Sequence, residues 1–149
     1  MTGRKAPPDV LEVMQTLWAL DHALEARSIW MLRNLGVTSP QRLVLRIIGA
    51  SPGCSPGVAA GRLRLDPGTV SRLVSRLERL GLVRRTPDPA DGRRHRLTLT
   101  RRGEALNAQI RGTVEAAVVE ALEEASPREI GLARKFLRHL TEKLAVREG

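Results

Sequence analysis

Residues 67–103 read PGTVSRLVSRLERLGLVRRTPDPADGRRHRLTLTRRG. Val70, Leu73, Val74, Leu77 and Leu80 recur at steps of three and four, the period of one buried helical face. Asp66 before Pro67 opens this helix, since a capping carboxylate precedes a residue whose missing N–H costs nothing there. Gly81 closes it. The period then changes to that of strands, over Leu82–Thr86 and Arg94–Thr100. The second strand alternates, with Leu97 and Leu99 on one face and Arg96, Thr98 and Thr100 on the other. Pro87-Asp88-Pro89-Ala90-Asp91-Gly92 between them is turn chemistry.

Outward from this stretch, the same cap-then-proline device recurs at Ser39-Pro40, Ser55-Pro56 and Ser126-Pro127. Ser126 with Glu129 has the spacing of a capping box, and Asp9 with Glu12 resembles one. Periodic apolar residues predict a helix from Val10 to about Leu35, with Gly36 as its stop. A second runs over Gln41–Gly49 with Leu43, Val44, Ile47 and Ile48 inward, and a short third over Pro56–Leu63. Long helices are predicted from about Gly103 to Ala125 and from Pro127 to about Val146. Short helices followed by a two-stranded ribbon make a winged helix-turn-helix. The expected fold class is therefore mainly α with a minor β component, a winged helix-turn-helix flanked by long terminal helices. Residues 1–149 form a single domain in this reading, with a DNA-binding lobe over 39–102 and dimerisation helices over 9–36 and 103–147. The terminal helices carry more apolar surface than a small domain covers alone, so a homodimer is expected.

The 149 residues carry 25 basic side chains, 16 acidic ones and a net charge of +9. Twelve arginines and four acids lie between Gly61 and Arg102, so +8 of that charge sits in 42 residues. Such a field on a helix and an adjoining ribbon is the footprint of a surface that meets phosphate. No apolar run reaches the length of a membrane span, the first residues lack the apolar core of a signal peptide, and one cysteine makes no intramolecular disulfide framework. A cytoplasmic protein with no membrane partner is the expectation.

On the Pro67–Leu80 helix the outward positions are Gly68, Thr69, Ser71, Arg72, Ser75, Arg76 and Arg79. Small residues early in the helix let its backbone approach base edges, and arginine one turn later can take guanine O6 and N7 together. The helix start and Thr69 suit a phosphate. In the ribbon, Asp91-Gly92-Arg93-Arg94 puts arginine at a hairpin tip, where it can enter a narrow minor groove, with Asp91 holding the tip or orienting an arginine. The rival to this reading is a winged-helix module that binds protein without reading DNA.

The run Thr69–Gly103 resembles the signature of the MarR family (multiple antibiotic resistance regulators). The family pattern of T-V-[ST]-R, L-E-x-x-G-[LW]-[IV]-x-R, D-x-R and L-T-x-x-G appears as Thr69-Val70-Ser71-Arg72, Leu77 to Arg85, Asp91-Gly92-Arg93 and Leu99 to Gly103. The resemblance implies a transcriptional regulator, commonly a repressor, that binds a palindromic double-stranded operator as a homodimer. It places Arg93 in the minor groove and Pro67, Gly68, Ser71, Arg72 and Arg76 at the major groove.

The resemblance also implies an effector, often a small aromatic or anionic ligand. Its pocket is expected where the first, second and fifth helices meet the DNA-binding lobe, with Trp18, Trp30, Met31 and Arg46 as lining; core or dimer packing is the competing role for the tryptophans. His22, His95 and His139 stand apart from any ligand cluster, so no metal or other cofactor is expected. Cys54 precedes the Ser55 cap, where a helix start can lower a thiol pKa. Oxidation-sensing relatives carry their cysteine in the first helix, which has none here. No phosphate loop, nucleophile elbow or histidine–carboxylate pair at a suggestive spacing is present, Asp21 and His22 being helix neighbours whose side chains point different ways, so no catalytic residue is expected.

Overall fold

The computed structural model of the protein describes residues 9–145. They fall into two compact units, divided between Val114 and Glu115. The first unit holds α1 (Val10–Leu35), α2 (Ser39–Ala50), α3 (Pro56–Leu63), α4 (Pro67–Arg79), β1 (Val83–Pro87), β2 (His95–Leu99) and α5 (Arg101–Ala108). α6 (Val114–Glu124) leads into the second unit, which also holds α7 (Pro127–Leu144). The predicted fold class is the observed one, mainly helical with a single antiparallel pair of strands.

The core of the first unit lies under the helix-turn-helix. Val44, Leu45 and Ile48 of α2, Val70, Val74 and Leu77 of α4 and Leu97 of β2 are all fully buried, with Ala59 and Ala60 of α3 between them. Burying each such valine or leucine contributes roughly 1.5–3 kcal/mol, which fixes α4 by its inner face and leaves its outer face free.

The caps form as local chemistry requires at three of five starts. Ser55 accepts from the Val58 amide, Asp66 from Thr69 and Ser126 from Glu129, the last completing a capping box. Two starts differ. α2 is capped by Thr38, one residue before the predicted Ser39, because Gln41 stands three residues beyond Thr38 and closes a reciprocal box with it. Asp9 lies in helical conformation and makes no side-chain cap, so its resemblance to a capping box was sequence spacing only. On α2 the inward face is also rotated: Leu43 is 51% exposed while Leu45 is fully buried.

The predicted helix over 103–125 is interrupted. α5 ends at Ala108, and Gly112 adopts φ +81° in the turn before α6. Trp30 of α1 packs where a side chain at 112 would stand, its Cη2 only 2.4 Å from an ideal Cβ position. Thr113, fully buried, donates its hydroxyl to the Ile110 carbonyl at 2.6 Å. A left-handed residue under an indole ends the helix, and only glycine meets both conditions.

Two arginines on α2 hold the end of α5. Arg42 is buried and donates to the Leu106 carbonyl at 2.8 Å, and Arg46 donates to Asn107 Oδ1 at 3.0 Å. Cations at the last carbonyls of a helix meet both its unpaired acceptors and its dipole.

In the second unit no described residue is buried. Val118 and Leu122 of α6, and Leu132, Phe136 and Leu137 of α7, are exposed. On α1, Leu11, Met14 and Trp18 are exposed as well.

Candidate nucleic-acid interface

α4 begins at a compact polar knot. Asp66 Oδ1 accepts the Thr69 amide at 2.9 Å, the Thr69 hydroxyl bonds Asp66 Oδ2, and Arg72 Nη2 donates to Thr69 Oγ1 at 3.1 Å. The Thr69 hydroxyl first, and its amide second, hold the Asp66 carboxyl below the ordinary carboxylate range. One acidic residue thus caps the helix and, through Thr69, lays the Arg72 guanidinium along the first two turns. Gly68 keeps that turn free of bulk, since a Cβ there would come within 3.1 Å of Asp66 Oδ1.

Pro67, Gly68, Ser71, Arg72, Arg76 and Arg79 are exposed, and Thr69 and Ser75 are half-buried. Apart from Pro67, which is exposed as the first residue of the helix, the predicted contact residues on α4 lie off the stripe of Val70, Val74 and Leu77. Arg72 and Arg76 are one turn apart, about 6 Å along the axis.

The wing is fixed to this helix at its base. Arg85 Nε donates to Glu78 Oε1 at 2.7 Å, joining β1 to the last turn of α4. Thr100 accepts the Gly103 amide at 3.1 Å and donates to the Gly81 carbonyl at 2.6 Å. Gly103 is buried, and a Cβ on it would stand 2.0 Å from the Leu82 carbonyl oxygen. The spacing of threonine and glycine in Leu99–Gly103 is thereby explained: the hydroxyl knots the strand to the α4 turn, and the glycine lets α5 start against it.

β1 and β2 pair from Val83↔Leu99 to Pro87↔His95. At the tip, Asp88 Oδ1 accepts the Ala90 amide at 2.9 Å and Asp91 Oδ1 the Arg93 amide at 3.0 Å. Asp88 also lies 3.4 Å from Arg96 Nη2, and Asp91 3.7 Å from Arg94 Nε. The Ala90 amide is the main cause that draws the Asp88 carboxyl below its usual range. Asp91 therefore holds the backbone of Arg93 and pairs with its neighbour Arg94. Among the described residues Arg93 itself makes no ion pair, and its side chain is exposed at the tip.

The four predicted ligand residues are not gathered at one place. Met31 is fully buried, Trp30 packs on Gly112, and Trp18, twelve residues earlier on α1, is 64% exposed. Arg46 lines a cleft of about 330 Å³ with Thr98, Leu99, Glu104 and Asn107, between α2, β2 and α5, to which α1 contributes nothing. Burial pushes the Cys54 thiol up, opposite to the shift a helix start would give. No cluster of metal-ligating side chains occurs among the described residues, and none of their helices is long and apolar enough to cross a membrane. The Thr69 relay, the Glu78–Arg85 pair and the bracing of α5 by the two α2 arginines were not foreseen from sequence. Only the last had a signal, two cations one turn apart on an otherwise apolar helix.

Residues 35–94 match a model described as the MarR family. The HTH-type transcriptional regulator TtmR of Methylorubrum extorquens (strain PA1) is 34% identical over 110 residues, covering 73% of this chain and 56% of that protein. The HTH-type transcriptional repressor Rv2887 of Mycobacterium tuberculosis (strain ATCC 25618 / H37Rv) is 34% identical over 91 residues, 61% of this chain and 66% of that one. The aligned regions thus span less than two thirds of either relative. The structure of the PcaV transcriptional regulator from Streptomyces coelicolor is 30% identical with a TM-score of 0.63, over 87% of this chain and 94% of that one. The same regulator in complex with its natural ligand aligns at 25% identity and a TM-score of 0.71, over 95% and 98%. On its signature run, its fold and these likenesses, the chain belongs to the MarR family.

Proposed function

We propose that the protein is a transcriptional regulator that binds double-stranded DNA sequence-specifically, as a homodimer on a palindromic operator. One observation carries the reading. The outer face of α4 presents Gly68, Ser71, Arg72 and Arg76 to solvent, beside a wing whose tip arginine, Arg93, has no ion-pair partner among the described residues. Small side chains admit the helix to a major groove, the arginines take base edges, and the wing reaches the adjacent minor groove. Nothing in this action requires catalysis, and a cytoplasmic location goes with it.

The exposed apolar residues of α1 and of the second unit support the dimer, because a soluble chain seldom leaves so many leucines and aromatics wet. Two copies related by a twofold axis would present two α4 helices to successive turns of DNA. Repression follows when such a dimer covers a promoter, and the name of Rv2887 as a repressor agrees with that outcome. A small aromatic or anionic effector is also part of the proposal. Its support is the Arg46 cleft between α2, β2 and α5, and a PcaV structure that contains that protein's natural ligand.

The test is the salt dependence of DNA affinity. A regulator that neutralises several phosphates loses affinity linearly in log–log coordinates as salt rises. Binding indifferent to salt would instead indicate a protein partner.

A further inference from the structure

The turn between α3 and α4 contains the only non-glycine residue with positive φ among the described residues, Arg64 at φ 55° and ψ 35°. Gly36, Gly53, Gly81 and Gly112 occupy the other left-handed positions. The Arg64 amide donates to the Gly61 carbonyl and the Leu65 amide to the Ala60 carbonyl, both at 3.3 Å. This is the paired bonding of a helix terminus at which glycine is the favoured residue. A side chain here crowds its own backbone, so the chain holds arginine at a position where another residue would be more stable.

The side chain gains nothing visible within the fold in return. Arg64 is exposed, and among the described residues it makes no side-chain hydrogen bond or ion pair. Its neighbour Arg62 is committed elsewhere, donating to the Ser51 hydroxyl. Arg64 is three residues before Pro67, so its Cα lies within about 11 Å of the start of α4. That end of the helix carries Gly68, Ser71 and Arg72, which meet the nucleic acid in the proposed function.

We propose that Arg64 is a phosphate-contact residue of the DNA interface, retained in a left-handed turn for its charge. The inference rests on the DNA-binding reading. It adds a backbone clamp on the helix-turn-helix turn to the base contacts on α4 and the groove contact at the wing. A backbone contact fixes register without reading sequence.

The competing role is structural, a cation favoured by the C-terminal end of α3. The two roles separate when stability and binding are measured on the same full-length variants, Arg64→Gly, Arg64→Asn and Arg64→Lys. The probe is a labelled random-sequence duplex of about 30 base pairs, titrated between about 50 and 200 mM salt. The expected result is that Arg64→Gly melts at or above the wild-type temperature yet binds roughly three- to tenfold more weakly at low salt. Its salt slope should be shallower by about one for each copy bound. Arg64→Asn, which tolerates the left-handed conformation without the charge, should lose the same slope, and Arg64→Lys should keep it. Wild-type affinity and slope in both uncharged variants would overturn the proposal, as would lower melting temperatures with an unchanged slope. If the wild-type protein itself shows no salt-dependent binding, the DNA reading fails and this inference with it.

Discussion

Gly103→Ala sets two effects of opposite sign against each other. Gly103 is the third residue of α5, and helix propensity alone favours alanine there by about 1 kcal/mol. Against this, the new Cβ would stand 2.0 Å from the Leu82 oxygen, 3.0 Å from the Leu82 carbon and 3.3 Å from Leu99 Cβ. Carbon and oxygen approach no closer than roughly 3.3 Å without strain, so the carbonyl or the helix must retreat by more than about 1 Å. The Leu82 oxygen accepts the Thr100 amide at 3.0 Å, and Leu82 is itself a core residue at 6% exposure. Neither partner moves without opening the junction of α4, wing and α5. Overpacking costs about 1–3 kcal/mol and a weakened hydrogen bond about 1 kcal/mol, so the clash wins by roughly 2 kcal/mol. For a chain of this size that lowers the melting temperature by roughly 4–8 °C. Gly61→Ala is the control, because nothing lies within 4 Å of its Cβ position and alanine should raise stability slightly. Thermal melts of the two variants and wild type decide the matter. A Gly103→Ala protein as stable as wild type would refute the argument.

Three further outcomes are expected. Arg93→Ala should weaken operator binding several-fold with an unchanged melting curve, since its exposed side chain makes no ion pair among the described residues; competition binding and melting check both halves. Substitutions at Ser71 and Arg72 should lose discrimination at particular base pairs, and a uniform loss over all single-base operator variants would make them phosphate contacts instead. Asp66, Asp88 and Glu129 all have carboxyls drawn below their ordinary range by hydrogen bonds, so their contribution is complete above the unfolded carboxylate pKa near 4 and is lost as pH falls through the lower folded values. Urea midpoints should accordingly hold from neutral pH to about 5 and drop below about 4, and a midpoint flat to pH 3 would contradict this.

What was legible in the sequence was local. Asp66-Pro67, Ser55-Pro56 and Ser126-Pro127 carry their cap and proline within adjacent residues, and Val70, Leu73, Val74 and Leu77 of α4 span about two turns, so chain neighbours decided the outcome. Gly112 looked like an unremarkable helix residue because the indole that claims its space belongs to Trp30, far back in the chain. On α2, Leu43 and Leu45 fit a helical face equally well, and only packing against α4 and β2 chose between them. The outward positions of α4 were readable because an apolar period of three and four residues also fixes which side chains stay exposed, and Ser71, Arg72, Arg76 and Arg79 follow it. Which residues share a cleft was not legible, since a cleft is made by elements that meet in space: Arg46 lies beside Asn107 and Glu104 of α5, and the tryptophans of α1 do not line that cleft. The burial that pushes the Cys54 thiol up, against the lowering influence of the Arg62 charge, is likewise a matter of tertiary packing that the Cys54-Ser55 sequence does not carry.

In the proposed function two copies of α4 and its wing read a twofold-symmetric DNA sequence. Selecting bound fragments from random DNA with the full-length protein tests it most directly. The expected product is an enriched inverted repeat whose half-sites are centred about one helical turn, or about 10 base pairs, apart. Recovery of no motif, or of a motif without twofold symmetry, would contradict it.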